Sequence, residues 1–239
     1  MTEGKPLRPK RLSIDEIKSG CIYLTKGDET ETRICVVNEE FRQGFEMVKA
    51  HKDNGKSATF WGSARLKEDH EDYQRAWRLS KRISGELGYS IVTGGGPGIM
   101  EAGNRGAYEM GKPSLGLTIK LPMEQYTNKY VTEEIPFYFF FTRKVLMAYS
   151  AEAYLYFPGG FGTLDELFEI LTLVQTGKIS KVPIILVGRK FWEPLQGFID
   201  NTLLKEFETI SPEDLNLYTI TDDEDEIVEI VRNAPMRDE

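Results

Sequence analysis

The sequence of 239 residues, 40% hydrophobic and 11% aromatic, is long enough to bury one large core. Its 38 acidic against 30 basic residues give a net charge of -8, which argues against general attraction to nucleic acid or an anionic membrane and favours small-molecule partners. Cys21 and Cys35 stand apart with no histidine at metal-ligand spacing, so neither a disulfide framework nor a metal site is expected, and a reducing, cytoplasmic compartment fits best. Residues 1–13 are polar and basic with no apolar run behind them, and no run of about eighteen apolar residues occurs, so neither a leader nor a membrane anchor is expected. His51 and His70 lie in charged, helix-like stretches; both are expected on the solvated surface, outside the chemistry.

In chain order, residues 1–56 read as a helical appendage packed on the main body. Ser13 to Glu16 has capping-box form, and Ile34, Val37, Phe41, Phe45 and Val48 follow helical spacing. After Asp53-Asn54-Gly55 the pattern changes to short apolar runs alternating with amphipathic stretches, the signature of βαβ units, so residues 57–239 read as one α/β domain. Strands are expected at Ser57 to Trp61, Tyr89 to Thr93, Leu115 to Ile119, Ala153 to Phe157 and Pro183 to Val187. Helices are expected around Tyr73 to Leu87, from Ile99 to Met110, from about Thr142, from Thr163 towards Thr176, near Trp192 to Leu204, and after Thr221; Leu121 to Gln125 reads as irregular. The fold class is a three-layer α/β sandwich, with a mostly parallel Rossmann-like sheet and helices on both faces.

Two glycine-rich loops, Gly94-Gly95-Gly96-Pro97-Gly98 and Pro158-Gly159-Gly160-Phe161-Gly162, each follow an expected strand and precede a helix. They should lie together at the carboxyl edge of the sheet, where helix amino termini offer unpaired N–H groups to a phosphate; taken singly, each loop serves equally well as a tight turn. The first strand does not lead into G-x-G-x-x-G, Ile99 occupies the third glycine position of the Gly94 loop, and no G-x-x-x-x-G-K-[ST] occurs, which disfavours dinucleotide and triphosphate sites.

The segment Pro158 to Glu166 matches P-G-G-x-G-T-x-x-E, Arg143-Lys144 precedes it, and Gly94 to Ala102 forms a second loop at the matching distance. In these three motifs, in this order, the chain resembles the Lonely Guy (LOG) family, once often misannotated as lysine decarboxylases. The resemblance covers roughly Ser57 to Leu204; Phe60 to Arg65 and Leu121 to Tyr130 look like its longer bacterial branch. It implies hydrolysis of a nucleoside 5'-monophosphate, AMP or a cytokinin ribotide, to free base and ribose 5-phosphate, without metal or organic cofactor.

By that resemblance Arg143 and Glu166 are the catalytic candidates. Gly95, Gly96, Met100, Glu124, Lys144, Gly159, Gly160, Gly162, Thr163, Asp165 and Thr172 are the substrate-binding candidates. Each has a plainer reading beside it. Thr163-x-x-Glu166 is also a capping box, Arg143 could be a surface ion pair, and Met100 and Thr172 could be packing residues. The aromatic run Tyr138 to Phe141 argues for partial burial of Arg143. The positive end of the helix dipole is expected to keep Glu166 ionised. The resemblance also implies a homo-oligomer, dimer or hexamer. Phe168, Leu171 and Leu173, or the Trp192 helix, could supply its apolar surface, although packing within the chain is their default reading. The alternative is a carrier of related fold that holds a nucleotide or the molybdenum cofactor without turnover. Amino-acid decarboxylation would need an assignable Schiff-base lysine, and no motif assigns one.

Overall fold

The computed structural model describes residues 11–53, 55–121 and 126–237. Seven strands form one sheet, β1 (Ser57–Trp61), β2 (Ser90–Thr93), β3 (Ser114–Ile119), β4 (Glu133–Phe137), β5 (Ala153–Tyr156), β6 (Ile184–Leu186) and β7 (Thr219–Ile220), in the order β4-β3-β2-β1-β5-β6-β7. Every pairing is parallel; Ala58 is in register with Ile91 on one side and with Ala153 on the other. The order reverses between β1 and β5, the switch point at which open α/β sheets bind ligands.

Alternation along the central strands assigns the two faces. Ala58, Phe60, Ala153, Leu155 and Phe157 join a core with α3 (Glu71–Leu87), α4 (Ile99–Glu109) and α8 (Glu224–Arg232). Trp61, Tyr154 and Tyr156 point the other way, into a core shared with α2 (Glu29–Lys52), α5 (Phe140–Tyr149), α6 (Phe161–Gln175) and α7 (Arg189–Phe198), which runs on into a π-helical stretch at Ile199–Glu206. Helices therefore cover both faces, as the sequence implies.

Strand β4 was not foreseen. Its sequence, EEIPF, carries two charges and a proline, a combination tolerated only at a sheet edge, where β4 lies against β3. Helix α1 (Ile14–Leu24) begins at the capping box of Ser13 and Glu16.

Three expectations for the amino-terminal part are corrected. Cys21 and Cys35 form a disulfide, because the turn between α1 and α2 brings their Cα atoms to 5.7 Å. His51 is buried, its Nε2 lying 3.0 Å from Glu133 Oε2 on β4, and it joins the end of α2 to the sheet edge. Burial would raise Glu133, but His51 and Arg11 outweigh it and hold the carboxyl at about 2. The buried stripe of α2 runs through Val36, Glu40, Gln43, Gly44, Met47, Val48 and His51, while Ile34 and Phe45 are exposed. Apolar periodicity misplaced the stripe because Glu40 and Gln43 belong to the inward face. His70 is on the surface, where its Nδ1 accepts from Asp72 N at the start of α3. No helix among the described residues is long and apolar enough to cross a membrane.

Candidate active site

Strands β2 and β5 flank β1, so both glycine loops emerge at one edge, separated by a single strand. The loop after β1 joins them. Ser63 N donates to Pro158 O at 3.0 Å, and Ser63 O accepts from Ile99 N at 3.0 Å. The second bond occupies one N–H at the start of α4. The Gly94 loop is held further: Gly95 N donates to Thr93 Oγ1 at 2.9 Å, and Asn128 Nδ2 donates to the carbonyls of Gly95 and Gly96 at 3.1 and 3.0 Å. Asn128 is anchored in turn to Asn104, which binds Thr93 and Ser114. Gly95 and Gly96 are buried in this network, so their backbone builds the wall of the site.

The other loop differs. Helix α6 begins at Phe161, two residues earlier than expected, and no side chain caps it. Helix geometry leaves the N–H groups of Phe161, Gly162 and Thr163 without intrahelical partners. A Cβ at Gly160 or Gly162 would meet nothing within 4 Å, and Phe161 is 92% exposed. Of the two helix starts at this edge, that of α6 is open to an anion. Thr163 is buried and packs over Gly159.

The early start of α6 also removes the capping reading of Glu166. At the sixth helical position it is too far along to bond the capping position, and the Thr163–Glu166 capping box does not form. Instead Glu166 Oε1 accepts from Arg143 Nη2 at 3.3 Å, and Tyr156 Oη donates to Glu166 O at 3.1 Å, tying that turn to β5. Arg143 is buried rather than a surface ion pair. Its Nη1 reaches Leu117 O at 3.5 Å, its guanidinium lies 5.7 Å from the Phe140 ring centre, and its buried Nε has no hydrogen-bond partner among the described residues. Gly94 makes room for this guanidinium: a Cβ there would stand 2.8 Å from Met100 Sδ and 3.1 Å from Arg143 Nη1.

Burial pushes Glu166 up to about 8, with the Arg143 charge opposing it and Asp165 adding to the rise. The expectation of a carboxylate held ionised by the helix dipole is thereby corrected: the dipole acts over the first turn, and Glu166 lies beyond it against a buried wall. Burial likewise lowers Arg143, with Glu166 opposing.

The remaining candidates divide. Met100 lies beside Gly94 and Arg143. Lys144 turns to the outer side of α6, where its Nζ lies 2.9 Å from Asp165 Oδ2 and 3.3 Å from Glu169 Oε2, so Lys144 and Asp165 engage each other. Thr172 donates to Phe168 O at 2.7 Å and lines a cavity of about 150 Å³ with Leu171, Leu203 and Leu217, away from the glycine loops. Glu124 lies outside the described residues. Ser63, Asn128 and Tyr156 were missed; only their contacts, distant in sequence, mark them out.

The family model described as "Possible lysine decarboxylase" matches residues 100–231, more than half of the chain. A rice (Oryza sativa subsp. japonica) protein named cytokinin riboside 5'-monophosphate phosphoribohydrolase LOG is 34% identical over 152 residues, covering 62% of this chain and 61% of that protein. The Arabidopsis thaliana protein named probable cytokinin riboside 5'-monophosphate phosphoribohydrolase LOG6 is 30% identical over 173 residues, 71% of this chain and 84% of that one. Among solved structures, the molybdenum cofactor binding protein from Rippkaea orientalis superposes with a TM-score of 0.54 at 18% identity, covering 74% of this chain and 93% of that one. The molybdenum cofactor carrier protein from Chlamydomonas reinhardtii gives 0.52 at 22% identity, covering 75% and 98%. At such identities these two structures show a common fold. The sequence matches go further, and by them the chain belongs to the LOG family, whose model carries the older lysine decarboxylase description.

Proposed function

We propose that the protein hydrolyses the N-glycosidic bond of a nucleoside 5'-monophosphate, releasing the base and ribose 5-phosphate. The observation that carries this reading is the buried Arg143–Glu166 pair placed just beyond the uncapped start of α6. The 5'-phosphate takes the N–H groups of Phe161, Gly162 and Thr163. The axial rise from there to Glu166 is about 7.5 Å, which places its carboxylate near the ribose. As the C1'–N bond breaks, its electron pair goes to the base nitrogen and positive charge builds on the ribose. Ionised Glu166 stabilises that charge and takes a proton from the water whose oxygen bonds to C1'. Arg143 offsets the negative charge on the departing base, which then takes up a proton. No step calls for a metal or an organic cofactor.

The relatives' names favour cytokinin ribotides, with AMP as the unmodified form of the same substrate. Residues 1–56 act in this reading as an appendage that completes the catalytic domain of residues 57–239. A homo-oligomer, dimer or hexamer, goes with it, using the exposed Phe168 of α6 or, on the Trp192 helix, the exposed Phe191 and Phe198, Trp192 itself being buried. A cytoplasmic location suits the substrate, and there the Cys21–Cys35 link would have to withstand thiol reductants. The test is chromatography after incubation with AMP, other purine and pyrimidine monophosphates, isopentenyladenosine monophosphate and adenosine. Free base from monophosphates, with adenosine nearly inert, is the expected result. Equal kcat/KM for adenosine and AMP would refute the role of the α6 start, and tight binding with every nucleotide recovered intact would favour a carrier.

A further inference from the structure

We propose that Glu40, on the amino-terminal helix α2, is a positioning residue for Arg143, holding the start of α5 in the place that presents the guanidinium to the site. Glu40 lies outside the matched family region and is 2% exposed on the inward face of α2. A carboxyl buried to that extent is costly unless it is fully bonded. Its bonds all go to one place. Oε1 accepts from Tyr138 N at 2.6 Å, and Oε2 meets the Thr142 hydroxyl at 2.5 Å.

These are the groups at the start of α5, which begins at Phe140 after Phe139, a residue with no capping side chain. Neither bond caps an N–H of α5; one holds the backbone that leads into the helix and the other a side chain of its first turn, so a carboxyl on a different helix tethers this segment near the positive end of the α5 dipole. The two helices touch closely. A Cβ at Gly44, one turn beyond Glu40, would come within 2.5 Å of Leu146 Cγ. Burial raises Glu40, and the Tyr138 and Thr142 bonds oppose that rise, consistent with a carboxyl held inside the fold.

Arg143 directly follows Thr142, and its own polar contacts are long, 3.3 Å to Glu166 and 3.5 Å to Leu117. Bonds of that length fix a guanidinium weakly, so its place is set by the backbone of the first turn of α5. Misplacement by about 1 Å costs on the order of a hundredfold in rate. Helix α2 therefore acts on the chemistry through Arg143.

The proposal rests on Arg143 belonging to the active site, and the test separates the two ideas. Glu40→Ala should lower kcat about tenfold or more with KM within about twofold, and Glu40→Gln, whose Oε1 still accepts from Tyr138 N and whose Nε2 donates to the Thr142 hydroxyl oxygen in place of the bond that hydroxyl gave, should restore most of the loss. Introduced into Arg143→Ala, Glu40→Ala should cost no further kcat, since a residue acting through another is non-additive with it. Additive losses, or a lowered Tm with kcat unchanged, would overturn the proposal. Should Glu40→Ala fail to fold, near-isosteric Thr142→Val is expected to give a smaller kcat loss that is likewise absent in the Arg143→Ala background; a loss that persists there would overturn the proposal. Crystal structures of these variants complete the test. A wild-type protein that releases no base ends the proposed activity, whereas the Arg143–Glu166 separation, widened or unmoved, still decides the role of Glu40.

Discussion

Arg143 Nη2 stands 3.3 Å from Glu166 Oε1, a buried contact between two helices, α5 and α6, while the guanidinium Nε has no hydrogen-bond partner among the described residues. A buried pair of this kind is weak evidence for stability, because desolvation offsets most of the attraction. Its placement beside the open start of α6 is what supports the proposed function.

The ionisation of Glu166 predicts two opposite pH dependences. If the ionised carboxylate is the working form, kcat/KM should rise about tenfold per pH unit below neutrality and level off near 8, where burial places the group. A flat profile between pH 6 and 9 would contradict this. Stability runs the other way: between the unfolded value near 4.5 and the folded value near 8, the native state holds a proton that the unfolded chain lacks, so stability falls as pH rises through that window. Glu166→Gln removes this dependence, and the Tm of the variant relative to wild type should therefore increase from pH 5 to pH 8.

Two glycines separate framework from ligand contact. Gly98 has φ +69°, and a Cβ there would fall 2.3 Å from Ser63 O, the atom that accepts from Ile99. Gly98→Ala should cost about 2 kcal/mol or more. Gly160 has φ -91° and open space where a Cβ would go. Gly160→Ala should leave Tm unchanged and raise KM by crowding the phosphate. Equal effects of the two on Tm would argue against an open cradle at α6.

The disulfide predicts a measurable redox dependence. Cys21 and Cys35 close a loop with a sequence separation of 14, and a link of that size is worth about 3 kcal/mol. Protein purified without reductant should show no reactive thiol under denaturing conditions, and reduction should lower Tm by about 5 °C or more. Two titratable thiols with an unaltered Tm would show that the link does not form.

The parts of the fold legible in the sequence were those governed by local patterning. Buried strands such as Ala153–Tyr156, the alternation with amphipathic helices and the Ser13 capping box all appear where residue order places them. The glycine motifs located the sheet edge, and the Arg143 and Glu166 candidates meet there. What stayed hidden depends on contacts across long sequence separations. Glu40 reads as a surface residue until Tyr138 and Thr142 are seen to enclose it, and the polar residues of β4 make a strand only because β3 offers an edge. Lys144 adjoins Arg143 in sequence yet pairs with Asp165 on the outer side of α6, since consecutive helical residues point about 100° apart.

The central claim is that Arg143 and Glu166 perform the hydrolysis, and the most direct test is kcat on AMP for wild type, Glu166→Gln and Arg143→Ala, with Tm measured on each. The account predicts equimolar adenine and ribose 5-phosphate from wild type and about a hundredfold lower kcat in both variants, which remain folded. Near-normal turnover in either folded variant would contradict it.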